Sequence, residues 1–242
     1  MSGHSKWKNI MHRKMKTDAL RGKEFTKMGR EIIIAVKSGG PDPSTNSRLA
    51  DVIAKAKGLN MPNDNIKRSI EKASGSLDAN NFEEIVYEGY GAAGIAIMVE
   101  TATDNKNRTA GEVRHYFDKF GGNLGSTGCV SFMFDKKGVF VIERTSTIDE
   151  DDLMITAIDS GASDVEVMDE YFEVTCGAQE FSQVFDALQS AGYSFLEAEL
   201  EWIPSNYTKV DDPESATKLE RLIDALEDND DVTDVWHNWE QN

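Results

Sequence analysis

The sequence predicts an α+β protein of several domains: an N-terminal three-helix domain followed by two α/β domains, one inserted in the other. Three observations carry this expectation. The chain is 242 residues long, beyond the usual size of a single core. Its apolar residues recur at helical spacing up to about residue 75, then at strand spacing interrupted by helical stretches. Finally, a complete β-α-β-β-α-β run over residues 135–204 is bracketed by an incomplete β-β-α-β before it and an α-β after it.

Taken in order, Asp18 is a plausible N-cap for a helix ending at Gly39 and Gly40, where Pro41 and Pro43 follow. At 100° per residue, Phe25, Met28, Ile32, Ala35 and Val36 share one face, and Lys23, Lys27, Arg30 and Lys37 share the other. A second helix over Asn46–Lys57 turns Leu49, Val52, Ile53 and Ala56 inward and stops at Gly58. A third starts near Pro62 and buries Ile66, Ile70 and Ala73, with Lys67, Arg68 and Lys72 elsewhere on it. SGSLDANN, residues 74–81, has the composition of a linker, which places a first domain at 1–77.

Strands are expected over Ile85–Tyr87, Ile95–Thr101 and Val130–Phe134, with a helix over Thr109–Phe120. The complete run has strands at Val139–Ile142, Val165–Val167, Tyr171–Thr175 and Phe195–Ile203, and helices at Asp149–Ser160 and Gln179–Ala191. That is a ferredoxin-like unit. In its last strand Leu196, Ala198, Leu200 and Trp202 alternate with Glu197, Glu199 and Glu201, which predicts a buried apolar face and a solvated acidic one. A helix over Asp212–Glu227 and a strand near Val232–Trp236 close the chain. The flanking pieces, 82–134 and 205–242, are expected to form one discontinuous ferredoxin-like α/β domain around the insert at 135–204.

Charge is divided unevenly along the chain. Residues 1–75 hold sixteen Lys and Arg against seven Asp and Glu, a net of +9, whereas the remainder holds ten against thirty-six, a net of −26. An acidic protein with one basic segment has one surface suited to a polyanion and a body that repels it. Cys129 and Cys176 fit no disulfide or zinc spacing and read as small buried hydrophobes. No apolar run reaches the ~18 residues of a membrane span, and the basic start is not followed by the apolar segment of a secretory signal. His4, His12, His115 and His237 show no metal-binding arrangement, and no GxSxG or P-loop is present. These features predict a cytoplasmic protein that is not an enzyme, with no metal, cofactor or membrane partner; they leave the oligomeric state open, with a monomer favoured. Small-ligand sensing stays open, because a ferredoxin-like fold does not fix function.

The strongest functional signal is the opening arm. Lys6, Lys8, Arg13, Lys14 and Lys16 flank Trp7 and His12, so charges suited to phosphate are interleaved with a ring able to stack on a base. Arg21, Lys23, Lys27, Arg30 and Lys37 extend this charge along the first helix. Anionic membranes and acidic proteins are the competing partners for such a segment. A second candidate is Arg108 with Arg114 in DNKNRTAGEVR, where a helix starting near Asn107 offers free N–H groups to a phosphate; pairing of these arginines with nearby carboxylates is the alternative. The adjacent GGNLGSTG, Gly121–Gly128, reads as a helix-to-strand turn, since no Lys-Ser or Lys-Thr follows it.

The opening GHSKWKNIMHRKMKTDALRGKEFTKMGREI resembles the signature of the YebC/PmpR family. The similarity continues through SRLADVIAKAKGLNMPNDNIKRSIEKA, YEGYGAAGIAIMVE, DNKNRTAGEVRHYFDKFGGNLG, VSFMFDKKG and LIDALEDNDDVTDVWHN, covering essentially the whole chain. Lys8, Met11 and Met15 are minor departures. The resemblance implies an all-helical domain and two α/β domains, the last inserted in the second. It also implies a non-enzymatic regulator of gene expression, acting either as a DNA-binding transcriptional regulator or on ribosomes and ribosomal RNA during translation, as mitochondrial relatives do.

Overall fold

The computed structural model describes residues 18–75 and 82–240, with side chains from Gly22 onward. The chain is α+β, with a helical N-terminal region followed by α/β sandwiches. Its described residues fall into two compact units, one from residues 18–34, 82–135 and 203–240, the other from residues 35–75 and 136–202. The division passes through the first helix, α1 (Asp18–Gly39). Helices α2 (Ser47–Gly58) and α3 (Asn63–Gly75) fall in the second unit.

In the first unit, β1 (Glu83–Tyr90) and β2 (Ala96–Thr103) form an antiparallel hairpin in which Glu83 faces Thr103 and Tyr90 faces Ala96. Helix α4 (Lys106–Lys119) leads to the two-residue strand β3 (Asn123–Leu124), and α7 (Pro213–Glu227) leads to β9 (Val232–His237). The sheet order is β3-β1-β2-β9, all antiparallel. Val113 and Phe117 of α4 and Leu219, Leu222, Ile223 and Leu226 of α7 meet Ile97, Val99 and Val232 in one core. Strand β2 is nearly buried along its length, so its run of apolar residues is continuous rather than alternating. A two-residue parallel pair, β8 (Thr208–Lys209) with β10 (Trp239–Glu240), lies outside this sheet.

The strand expected at Val130–Phe134 is not formed. Ser131–Met133 is a short 3-10 turn, and the sheet takes β3 as its edge instead. The cause is Glu88, whose buried carboxylate accepts the N–H groups of Gly128 (2.7 Å), Val130 (2.8 Å) and Ser131 (2.8 Å) that a ladder would need. Gly128 holds φ +88°, a left-handed conformation that glycine adopts without steric cost.

The second unit contains the ferredoxin-like insert: β4 (Phe134–Glu143), α5 (Glu150–Asp159), β5 (Ala162–Val167), β6 (Tyr171–Gly177), α6 (Phe181–Ser190) and β7 (Phe195–Pro204). Its sheet order is β5-β6-β4-β7. Phe140 stacks on Phe181 at 5.0 Å between centroids and Phe185 on Phe195 at 4.9 Å, in a core that includes Leu153, Phe172 and Leu188. Asn46 caps α2 by accepting from Leu49 N–H (3.1 Å), and its amide donates to the carbonyls of Ala35 (2.9 Å) and Gly40 (2.8 Å), tying the helix ends together. Helix α2 docks on the insert through Ala54, which joins its core, and through Asp51, which accepts from Ser182 Oγ.

The face of β7 expected to be solvated is covered instead. Glu197, Glu199 and Glu201 are buried, while Leu200 and Trp202 are only partly so. Gly58 approaches the Ala198 backbone closely enough that a Cβ would sit 3.1 Å from its nitrogen, and Lys55 reaches Glu199 at 3.7 Å. Alternation correctly separates the two faces of a strand, but an element far away in sequence decides which face is covered.

Candidate nucleic-acid interface

Lys6, Trp7, Lys8, His12, Arg13, Lys14 and Lys16 lie outside the described residues, as does the Arg21 side chain. On α1, Lys23, Lys27 and Arg30 turn toward the end of α7. Lys23 Nζ donates to the Asp228 carbonyl and lies 3.4 Å from the Asp230 carboxylate. Lys27 Nζ donates to the Glu227 carbonyl at 2.7 Å, and Arg30 donates to the Asp230 carbonyl at 2.6 Å and to Asp231 Oδ1 at 2.9 Å. The Arg30 guanidinium also lies over the Phe82 ring at 5.2 Å.

The reason is electrostatic. A helix C-terminus carries unpaired carbonyls and the negative end of the macrodipole, and α7 has no basic residue in its own last turn. Three cations spaced along α1 supply what α7 lacks. Burial, aided by the neighbouring charge of Lys23, pushes the Lys27 ammonium below its ordinary pKa. The open basic stripe expected on α1 is therefore a structural clasp over these three residues. Lys37, in the last turn of α1, is exposed.

Asp231 is the centre of this clasp. Its side chain is 5% exposed and accepts from Arg30, from Arg108 Nε (3.2 Å) and a terminal guanidinium nitrogen (2.6 Å), and from Thr103 (3.2 Å) and Thr109 (2.8 Å). Burial alone would raise this carboxyl, but the donors outweigh it and hold it below the ordinary range. Arg108 also bridges Asp104 at 2.9 Å, and Asn105 caps α4 by accepting the Arg108 N–H at 3.1 Å. Of the two alternatives for this helix start, carboxylate pairing is the one observed for Arg108. Arg114 is exposed on α4 and forms no ion pair among the described residues.

The same rule of internal pairing governs the Gly121–Gly128 loop. The N–H groups of its last glycine, Gly128, and of Val130 and Ser131 enclose Glu88, so an internal carboxylate takes the place an external anion would need. Burial would raise Glu88, yet these hydrogen bonds keep it below the usual carboxylate range. Cys129 is half-buried, and Cys176 is fully buried with its thiol pushed up to about 12 by burial and by Glu180. Among the described residues, Glu197, Glu199 and Glu201 are the one carboxylate group close enough to share a cation, within 4.8 Å, and Lys55 already brings positive charge to Glu199.

Among the described residues of the basic segment, four cations stand apart from this pairing. Lys57 at the end of α2 and Lys67, Arg68 and Lys72 on α3 are exposed and form no ion pair among the described residues. They were not among the expected contact residues. Their signal is present in the sequence as helical phase, since Lys67, Arg68 and Lys72 avoid the face of Ile66, Ile70 and Ala73.

The family profile described as the TACO1/YebC protein N-terminal domain matches residues 5–76, and that of the TACO1/YebC second and third domain matches residues 82–239. A protein of Acetivibrio thermocellus named "Probable transcriptional regulatory protein" is 61% identical over 239 residues, covering 99% of both chains. One of the same name from Ruminiclostridium cellulolyticum is 58% identical, covering 100% of this chain and 97% of the relative. The crystal structure of a conserved hypothetical protein from Aquifex aeolicus matches with a TM-score of 0.80 at 44% identity, over 93% of this chain and 92% of that one.

Proposed function

The chain belongs to the TACO1/YebC family, and from that premise we propose that it is a non-enzymatic regulator of gene expression that docks on nucleic-acid phosphates through its basic N-terminal region. Transcriptional regulation is the form favoured by the names of its relatives, and action on DNA is our reading of it. The observation that carries the docking is the set Lys57, Lys67, Arg68 and Lys72, exposed and unpaired within a segment of net charge +9. Lys6, Lys8, Arg13, Lys14 and Lys16 add charge to that segment, and Trp7 adds a ring for stacking. Lys23, Lys27 and Arg30 serve the fold instead.

Ribosomal RNA is the second reading, favoured by the net charge of −26 beyond residue 75. Such a body opposes lying along duplex DNA, although screening limits that repulsion to about 8 Å. Binding to duplex DNA, structured RNA and ribosomes across a salt series tests both. Each phosphate contact contributes a slope of roughly 0.7–0.9 in log K against log salt. Changing Lys57, Lys67, Arg68 and Lys72 together to Ala should therefore lower affinity and reduce the slope by up to about 3. Undiminished binding by the folded variant would rule these residues out as the docking surface, and the tighter of the DNA and RNA complexes at physiological salt selects between the two readings.

A further inference from the structure

Residues 145–208 contain fifteen Asp and Glu and no Lys, Arg or His. Within that stretch, α5 buries Leu153 and Ala157 in the core and turns a second apolar face outward: Ile155 is 60% exposed, Ile158 50% and Met154 37%. Val167, at the end of edge strand β5 on which α5 packs, is 37% exposed. Four of the six exposed large hydrophobic residues among the described residues thus fall on two adjoining elements of the insert. Asp151, Asp152 and Asp159 on the same helix and Asp164 on β5 are exposed around them.

Singly exposed apolar side chains are ordinary, but a helix apolar on two faces has one face without an intramolecular use. The surrounding charge selects what fits. A nucleic acid or an anionic membrane is repelled by an acidic surface whose bordering cation, Arg144, is already taken by Glu150 (3.4 Å) and the Met168 carbonyl (3.0 Å), and a second copy of this chain would bring the same carboxylates against it. We propose that the α5 face of the insert, centred on Ile155 and Ile158, is a docking site for a basic amphipathic helix of a partner protein. The partner's apolar residues cover Ile155, Ile158 and Met154, and its Lys and Arg meet the rim of Asp151, Asp152 and Asp159. This gives the acidic insert a protein partner, separate from the phosphate surface of α2 and α3.

The test uses the full chain, labelled at isoleucine methyl groups, and a synthetic helix about 18 residues long, or about five turns, with Leu on one face and Lys and Arg elsewhere. Addition of the peptide should shift the Ile155 and Ile158 methyl signals and leave those of the buried Ile97 and Ile142 unchanged. Ile155→Ser with Ile158→Ser should weaken binding about tenfold or more at an unchanged thermal midpoint, and Asp151→Asn with Asp159→Asn, which leaves the apolar face whole, should also weaken it. A control peptide of equal charge with Ser in place of Leu should bind more weakly. The proposal is overturned if the control binds equally well, if the double Ser variant keeps its affinity, or if other methyl groups respond. Two further results would assign the face to another occupant and also sink it. One is a change of the Ile155 and Ile158 signals on dilution without peptide, meaning a second copy. The other is the same change when Lys6, Lys8, Arg13, Lys14 and Lys16 become Gln, meaning the chain's own arm.

Discussion

On α1, Lys23, Lys27 and Arg30 reach the carbonyls and carboxylates of residues 227–231; on α2 and α3, Lys57, Lys67, Arg68 and Lys72 reach solvent. All seven stand on helices in one basic segment, and by charge and spacing the α1 set is the more regular. The difference lies in what each helix is placed against. An acidic helix end without its own cations captures the α1 set, and among the described residues no comparable acceptor meets the other. A basic stripe in sequence therefore marks either a ligand surface or an internal counter-charge, and the energies of the two differ enough to be separated by mutation.

The largest effect should come from Asp231, because its removal leaves Arg30 and Arg108 facing each other without the carboxylate that joins them. Asp231→Ala is expected to cost about 3–5 kcal/mol in urea unfolding. A loss below about 1 kcal/mol would show that the cluster is not the clasp described here. Next is Glu88→Gln, which removes charge-assisted hydrogen bonds and should cost about 1.5–3 kcal/mol, with faster hydrogen exchange at Gly128, Val130 and Ser131. Both carboxyls titrate lower in the folded chain than in the unfolded one. Their contribution is therefore complete above about pH 4–5 and is lost as pH falls through the folded values, so wild type should lose more stability than Glu88→Gln between pH 5 and pH 2. Equal acid losses in the two proteins would count against an ionised Glu88.

Smaller is Lys23→Gln, expected to cost about 0.3–1 kcal/mol at low salt and less as salt is added, since this cation serves the partly exposed end of α7. The smallest stability change belongs to the exposed set. Each of Lys57→Ala, Lys67→Ala, Arg68→Ala and Lys72→Ala should stay within about 0.5 kcal/mol while together they weaken phosphate binding. If the α1 cations behaved like the exposed set, with small stability changes and large binding losses, the contrast between the two would collapse.

Much of the fold is legible without coordinates because its signals are local. Helix starts at Asn46, Asp149 and Asp212 and the apolar phases of α2, α4, α6 and α7 set helices to within a few residues of their observed ends, whereas the Asn105 cap of α4 lies ahead of the expected start. The β-α-β-β-α-β order of the insert follows from alternation and turn residues in the same way. The missed strand at Val130–Phe134 shows the limit, since nothing in VSFMF reveals that a carboxylate some forty residues earlier takes its N–H groups. The candidate interface was legible as charge and much less so as exposure.

What the sequence determines by itself is therefore which elements form, in what order, and where positive charge is concentrated, because propensity, capping and periodicity act over a few residues. Only the tertiary structure decides which faces meet water. It buries Glu197, Glu199 and Glu201, turns Lys27 and Arg30 inward, and leaves Lys67, Arg68, Ile155 and Ile158 outside. Burial depends on the element that covers a surface, and that element is set by packing between segments far apart in the chain, where no local pattern reaches.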